Sequence, residues 1–282
     1  RGATACTLNA DGRPTACPTT ITTSTGSTSP ITATTCSAAN FVTIHDLAFV
    51  TASSSSFGVI NIGCSAVAGY PPVAFRVHHI RITGDPAGGG RWMMVSVYGV
   101  VDHSFFSSQS TVGNISMQSD NSISTSNSYH VPFSLGSQNA LYVENNYFYF
   151  GVANQGNGTV DNYSGARYVF RFNTVYNNNI GNHGWDSQSR GVPTFEDYGN
   201  TYIAESGIGG IARFKPRSGT GVIWGNVVKN IQPQGGSQGY LSFFKPIYYG
   251  SLTPSELIGN VVLDSRATGY YPSGTWGAIP YP

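Results

Sequence analysis

A short β-type segment recurs eight times along the chain, and this repeat limits the possible folds more than any other feature. The copies span residues 42–49, 75–82, 99–106, 141–148, 168–175, 195–202, 221–228 and 255–262. They are rich in β-branched and aromatic residues, which suit stacked strands. Helical spacing of apolar residues is almost absent. The repeat therefore predicts an all-β chain.

One aligned position of the repeat is asparagine in each of its last five copies. The eight residues in this column are Leu47, Ile80, Ser104, Asn146, Asn173, Asn200, Asn226 and Asn260. Most of their spacings fall in the twenties and thirties, which is typical of a solenoid whose coils stack on one another. Asparagine tolerates the left-handed backbone of a sharp bend, and stacked amides can hydrogen-bond between coils. We therefore expect an asparagine ladder at a bend.

Other repeat folds fit this pattern less well. A β-propeller needs a more constant period of about 40–50 residues, and a leucine-rich horseshoe needs leucine at fixed offsets. A β-sandwich is the alternative fold, but it does not explain the asparagine column. The sequence thus favours a parallel β-helix with an asparagine ladder.

The segments 161–173, 182–186, 189–191 and 195–200 resemble the right-handed parallel β-helix proteins of the pectate-lyase-like superfamily. An asparagine ladder at a tight turn is a feature of that group. The resemblance covers most of residues 40–265 and specifies the fold much more than the activity. It implies a right-handed β-helix, and the polysaccharide lyases of this fold act on the outer face of a parallel sheet.

The four cysteines, Cys6, Cys17, Cys36 and Cys64, all lie in the first quarter of the chain. Their even number and lack of metal-type spacing predict two disulfides, for which three pairings are possible. Proximity favours Cys6–Cys17. We expect a single domain, 1–282, with a disulfide-stapled N-terminal cap over 1–40, coils over 41–265 and a non-repetitive tail over 266–282.

Composition narrows the class of partner. Charged residues make up 10% of the chain, with 14 Lys and Arg against 13 Asp and Glu. Such a surface has no charge field for nucleic acid, and no apolar run approaches a membrane span. The chain starts without a charged-then-apolar leader, so an export signal would already have been removed. Abundant hydroxyl and amide side chains, together with the disulfides, predict a secreted protein that handles sugars.

The ladder positions Ser104 and Asn146 are 42 residues apart, and the segment 107–128 between them is almost entirely Ser, Asn, Gln and Thr. This spacing is well over one coil. It favours an additional coil with small side chains, and a long loop is the alternative.

Charged residues concentrate upstream of three successive ladder asparagines. The candidate catalytic residues are Asp161, His183, Asp186, Arg190, Arg213 and Lys215, and Arg167 and Arg217 are candidate substrate-binding residues. Because coils stack ~4.8 Å apart, equivalent positions become neighbours. Arginine could bind a uronate carboxylate while Lys, Arg or His abstracts a sugar proton, or two carboxylates could hydrolyse a glycosidic bond. Alternatively, these charges pair across coils and only stabilise turns.

A second column lies two residues before the ladder: His45, His78, Asp102, Glu144, Arg171, Tyr198 and Trp224. Tyr198 and Trp224 could stack on sugar rings, with ordinary packing as the alternative. Strand alternation puts His78 and His79 on opposite faces, which favours partly buried structural histidines over a metal site that includes Asp102 and His103. We expect no cofactor. Ca²⁺ is the alternative, with Asp161 and Asp186 as its candidate ligands.

Together these features predict an extracellular β-helix that binds or acts on carbohydrate, as a lyase or hydrolase of an acidic polysaccharide. The chain contains no Gly-x-Ser-x-Gly, HExxH or P-loop motif, which argues against those enzyme classes. The alternative is a non-catalytic protein: an adhesin, a surface or filament subunit that self-associates, or a phage-type receptor-binding spike. The same scaffold serves all of these, so fold alone does not choose between them.

Overall fold

The computed structural model describes residues 4–23, 29–35, 39–51, 58–63, 73–85, 90–109, 113–118, 135–151, 159–162, 165–178, 180–182, 192, 194–203, 205, 214–215, 220–229, 261–263 and 268–269. Within these ranges the chain is all β, as predicted, and contains no helix. It therefore has no helix there that is long and apolar enough to cross a membrane.

The strands in chain order are β1 (Thr7–Leu8), β2 (Pro14–Ala16), β3 (Thr20–Thr23), β4 (Ile31–Ala33), β5 (Val42–His45), β6 (Ala48–Thr51), β7 (Ile60–Ile62), β8 (Val73–His78), β9 (Arg81–Gly84), β10 (Met93–Val95), β11 (Tyr98–Asp102), β12 (Phe105–Ser108), β13 (Ile115–Met117), β14 (Leu141–Glu144), β15 (Tyr147–Phe150), β16 (Asp161–Asn162), β17 (Tyr168–Arg171), β18 (Thr174–Tyr176), β19 (Ile180–Asn182), β20 (Thr194–Tyr198), β21 (Thr201–Ile203), β22 (Phe214–Lys215), β23 (Thr220–Trp224), β24 (Val227–Lys229), β25 (Val261–Leu263) and β26 (Thr268–Gly269).

Apart from the β1–β2 hairpin, these strands form long parallel sheets. The eight-stranded sheet has the order β25-β23-β20-β17-β14-β11-β8-β5, and the nine-stranded sheet has the order β26-β24-β21-β18-β15-β12-β9-β6-β3. A four-stranded sheet, β13-β10-β7-β4, and a three-stranded sheet, β16-β19-β22, are linked by a bridge between Ile115 and Val160. From β3 to β24, hydrogen-bonded neighbours are three strands apart in the chain. Each passage through the sheets, called a coil here, therefore adds one strand to each.

The observed register confirms the alignment of the first seven copies of the sequence repeat. In the eight-stranded sheet, paired residues follow the second column in order: His45, His78, Asp102, Glu144, Arg171, Tyr198 and Trp224. Residues that are 24 to 42 positions apart in sequence are thus direct neighbours on adjacent strands. The alignment of the eighth copy is wrong, because Val261 pairs with Gly221 of β23 and Val227 pairs with Thr268 instead. The predicted ladder residue Asn260 lies outside the described residues.

Apolar side chains from alternating strand positions fill the interior. Phe106 and Phe148 stack with ring centroids 4.9 Å apart, and Trp92 packs against both. All three side chains are fully buried. Burying a large apolar side chain stabilises a fold by about 1.5–3 kcal/mol, so stacked rings from successive coils bind each coil to the next. Gly221 allows close packing, since a Cβ there would lie only 2.3 Å from the carbonyl oxygen of Phe195.

The asparagine ladder is present at the turn between the eight- and nine-stranded sheets. The Oδ1 of Asn173 accepts the N–H of Asn146 at 2.9 Å, and Asn200 and Asn226 accept the N–H of the preceding ladder residue at 2.8 Å. Each Nδ2 also donates to a carbonyl of the preceding coil, on Val101, Val143, Phe170 and Asp197. These ladder side chains are buried, so their amides satisfy backbone groups that water does not reach.

The left-handed residue at this turn is not the ladder asparagine, and that expectation was wrong. The residue directly before the ladder takes positive φ in every copy described: Asp46, His79, His103, Asn145, Phe172, Gly199 and Gly225, with φ between 47° and 66°. The left-handed backbone of the bend and the hydrogen bonds of the ladder therefore come from two adjacent positions of the repeat.

Cys6 and Cys17 form a disulfide, in the pairing that proximity favours. It closes the β1–β2 hairpin, which lies along the ladder turns: the Cys6 N–H donates to Asp46 Oδ1 at 3.0 Å, and Arg13 Nε donates to the carbonyl of Asn145. Cys36 and Cys64 lie outside the described residues. Within the predicted cap, β3 and β4 continue the nine- and four-stranded sheets. In the predicted tail, β26 pairs with β24.

The additional coil expected between Ser104 and Asn146 is not formed. Strand β11 pairs directly with β14, and β12 pairs directly with β15. No strand of the described residues lies between these neighbours. Residues 119–134 of this segment are not among the described ones.

Candidate functional site

Two of the predicted catalytic residues lie in the three-stranded sheet. Asp161 is in β16 and Lys215 is in β22, and both pair with Gly181 of the intervening strand β19. Two strand spacings separate their backbones by roughly 10 Å. The sheet thus places the two residues in one row across three coils.

Of the other charged candidates, only Arg167 is among the described residues. His183, Asp186, Arg190, Arg213 and Arg217 lie outside the described residues. Arg167 is described and only 1% exposed. Its guanidinium is enclosed rather than presented to a polymer, so Arg167 has no place in the surface site below.

Tyr198 and Trp224 form a stacked pair on the outer face of the eight-stranded sheet. They are paired residues of β20 and β23, their ring centroids are 5.4 Å apart, and the ring planes differ by 14°. Trp224 is 38% exposed. Phe172, which is 48% exposed, meets Tyr198 edge-on at 5.7 Å. We call Phe172, Tyr198 and Trp224 the aromatic platform.

A network around Arg171 of β17 borders this platform. Arg171 Nε donates to Glu144 Oε2 at 2.6 Å, and Nη1 donates to the Tyr198 hydroxyl at 2.8 Å. The guanidinium also lies over the ring of Tyr142, 4.9 Å from its centroid. Partial burial disfavours the charged form, but the hydrogen bonds with Tyr198 and Glu144 raise the pKa of Arg171. The network fixes the orientation of the Tyr198 ring.

Glu196 and Asp197 point to opposite sides of the sheet, as strand alternation predicts. Glu196 lies on the outer face and accepts the Gly136 N–H at 2.8 Å. Asp197 is 1% exposed and accepts hydrogen bonds from the Tyr202 hydroxyl and from Asn200 Nδ2. Burial raises the pKa of Asp197 to about 8. These two carboxyls therefore cannot act as a pair on one substrate.

Four histidines of the first three coils form a cluster, although we expected His78 and His79 on opposite faces. The Nδ1 atoms of His78 and His79 are 2.7 Å apart, so one donates and the other accepts. His45 stacks on His78 at 4.8 Å, and His103 lies 5.6 Å from His79. Alternation fails here because β8 ends at His78 and His79 occupies the left-handed turn.

The cluster is held by ion pairs and lies under the N-terminal hairpin. His103 Nδ1 is 2.8 Å from Asp102 Oδ2, and Arg76 binds the same carboxylate through two nitrogens. Burial, followed by the positive charge of Arg76, lowers the pKa of His78 to about 4. In the described ranges, no group of three or more His, Cys, Asp or Glu side chains is arranged to hold a metal ion. A structural role under the hairpin accounts for these contacts.

Comparisons of the chain with protein-family models, curated proteins and solved structures found no match. The candidate site is therefore inferred from the geometry of the described residues alone. The shared column of the repeat identified Tyr198 and Trp224 from the sequence. It did not identify Phe172, Tyr142 or the Glu144–Arg171 pair as parts of the same site. Glu144 and Arg171 stood in that column as adjacent opposite charges, and this was the available signal.

Proposed function

We propose that this protein is an extracellular right-handed parallel β-helix of the pectate-lyase-like kind, and that it binds a polysaccharide on the outer face of its eight-stranded sheet. The observation that carries the proposal is the stacked, solvent-facing pair Tyr198 and Trp224. Aromatic faces with a polar tip suit the mixed apolar and hydroxyl surface of a sugar ring.

The order in which successive strands enter the sheets supports the β-helix part of the proposal. From β6 to β24, each strand that pairs with an earlier strand of its sheet follows that strand by three in the chain, as expected of stacked coils. Parallel crossover connections are right-handed in about 98% of cases, which supports the handedness. The Cys6–Cys17 disulfide supports an oxidising, extracellular setting.

The site combines a rigid platform with polar groups at its border. Because Arg171 fixes the Tyr198 hydroxyl and β20 pairs with β23, the two rings are held parallel before any ligand arrives. A preorganised surface loses less conformational entropy on binding. Glu196 lies two residues before Tyr198 on β20, and Glu144 lies on β14 beyond Arg171. Both can accept hydrogen bonds from the hydroxyls of an oligosaccharide.

We place any catalytic reaction on the polysaccharide at the three-stranded sheet, where Asp161 and Lys215 share a row. A lyase reaction there would use a basic side chain to remove a sugar proton. Unsaturated-product absorbance and new reducing ends on a polysaccharide panel would test this. We expect Lys215→Ala to abolish any such product, and retained turnover would exclude this row.

Affinity electrophoresis of the intact chain through gels containing single polysaccharides tests binding. At least one polymer should retard the wild-type protein, and Trp224→Ala should weaken binding about tenfold or more, which corresponds to a loss of about 1.4 kcal/mol or more. Phe41→Ala is the matched control, since Phe41 is an exposed aromatic residue next to β5, six strands from β23. Equal retardation of both variants and the wild type, or none with any polymer, would refute the proposal.

A further inference from the structure

The charges around the aromatic platform indicate which class of glycan it accepts. We infer that the platform takes a neutral glycan rather than the acidic polysaccharide expected from the sequence. This inference deepens the proposed function and rests on it.

Arg171, the nearest cation to the platform among the described residues, is already engaged by the protein itself. Arg171 directs Nε and Nη2 to the same Glu144 oxygen, Oε2, at 2.6 and 2.5 Å, and it directs Nη1 to the Tyr198 hydroxyl. The flat face of the guanidinium is covered by the Tyr142 ring. An incoming uronate would have to compete with Glu144 for these donors. Arg171 therefore orients the platform and is poorly placed to receive a substrate carboxylate.

A second carboxylate makes the border of the platform negative. Glu196 lies two residues before Tyr198 on the same face of β20, about 7 Å along the strand. Among the described residues at the platform, Glu144 and Glu196 contribute two negative charges and Arg171 one positive charge. Burial, and after it the negative charge of Glu196, raises the pKa of Tyr142, which is consistent with a negative local field.

These charges discriminate between two sugars of the same shape. A uronate on Tyr198 and Trp224 would bring its carboxylate towards Glu196 and, beyond Arg171, towards Glu144. Like charges repel one another. A neutral sugar brings hydroxyl donors instead, and hydrogen bonds to ionised acceptors are the stronger kind. The platform thus attracts hydroxyl groups and repels acidic groups.

A matched pair of polymers tests this inference: a polyuronate and the same polymer after carboxyl reduction, which keeps the linkage and removes the charge. We expect the intact protein to bind the reduced polymer about tenfold or more tightly, with little change between low and high salt. Glu196→Gln should raise the affinity for the polyuronate several-fold. It should lower the affinity for the reduced polymer, since glutamine replaces an ionised acceptor of sugar hydroxyls by a neutral one.

The outcomes separate the two claims. Equal or tighter binding of the polyuronate, lost in Trp224→Ala, would overturn the neutral-glycan inference and leave the proposed binding site standing. Binding of either polymer that is unaffected by Trp224→Ala would refute the binding site itself. Preference for the reduced polymer, lost in Trp224→Ala, supports both.

Discussion

Replacing Asn173 by alanine removes the middle of the described asparagine ladder. The Oδ1 of Asn173 accepts the buried N–H of Asn146 at 2.9 Å, and its Nδ2 donates to the Val143 carbonyl at 2.8 Å. Alanine can make neither bond. The Asn146 N–H is left without its acceptor in a place that solvent does not reach, since both asparagines are at most 1% exposed.

The cost follows from these two lost bonds. A buried donor without a partner costs about 1–3 kcal/mol, and a second hydrogen bond contributes about 1 kcal/mol. We therefore expect Asn173→Ala to destabilise the fold by roughly 2–4 kcal/mol. This is a large share of the 5–15 kcal/mol that is typical of a folded domain.

Urea unfolding followed by far-ultraviolet circular dichroism measures the loss, and hydrogen exchange at the Asn146 amide locates it. Asn145→Gly is the control, because it also removes an amide side chain and glycine readily adopts the φ of 57° found there. We expect this control to stay within about 0.5 kcal/mol of wild type. An Asn173→Ala protein as stable as the control, with Asn146 exchange unchanged, would refute the structural role of the ladder.

Three further predictions concern buried or crowded groups. The folded pKa of Asp197, about 8, lies above its unfolded value of 3.8, so its stabilisation is full below about pH 4 and is lost as the pH rises through 8. In urea unfolding, the free energy of unfolding of the wild type should fall between pH 5 and pH 8, and that of Asp197→Asn should not show this fall. An equal fall in both proteins would contradict the prediction. The pKa of His78, about 4 when folded and 6.5 when unfolded, has the opposite effect: its contribution is present above about pH 6.5 and is lost as the pH falls through 4. The protection factor of the Cys6 amide in the overlying hairpin, which corrects hydrogen exchange for its intrinsic pH dependence, should therefore fall in acid, and less so in His78→Gln; identical falls in both proteins would argue against this. Gly221→Ala should lower stability by about 3 kcal/mol through its clash with Phe195, and an unchanged Tm would show that the strands can separate at no cost.

The sequence predicted the strand register well because stacked coils repeat one environment. Each ladder position must satisfy the same two backbone groups, so asparagine recurs, and its column aligns Tyr198 with Trp224. The left-handed residue beside the ladder was missed for the opposite reason. That position constrains only the backbone, and residues as different as His79 and Phe172 occupy it.

Other features could not be read from the sequence because they depend on where strands end and which rotamers pack. The Ser- and Asn-rich segment before β14 has the composition of either a loop or a coil with small side chains, and only strand pairing excludes the coil. His78 and His79 meet because β8 stops between them. The Arg171 network requires specific rotamers of three side chains, and these depend on packing between coils.

The proposed binding site requires a sugar to lie against Trp224 and Tyr198. A crystal structure of the protein with an oligosaccharide of the carboxyl-reduced polymer tests this most directly. We predict a sugar ring in van der Waals contact with the exposed surface of Trp224 and the adjoining edge of Tyr198, within about 4.5 Å, and hydroxyls of the oligosaccharide hydrogen-bonded to Glu144 or Glu196. A sugar bound on another face of the sheets, with the Trp224 indole still facing solvent, would contradict the account.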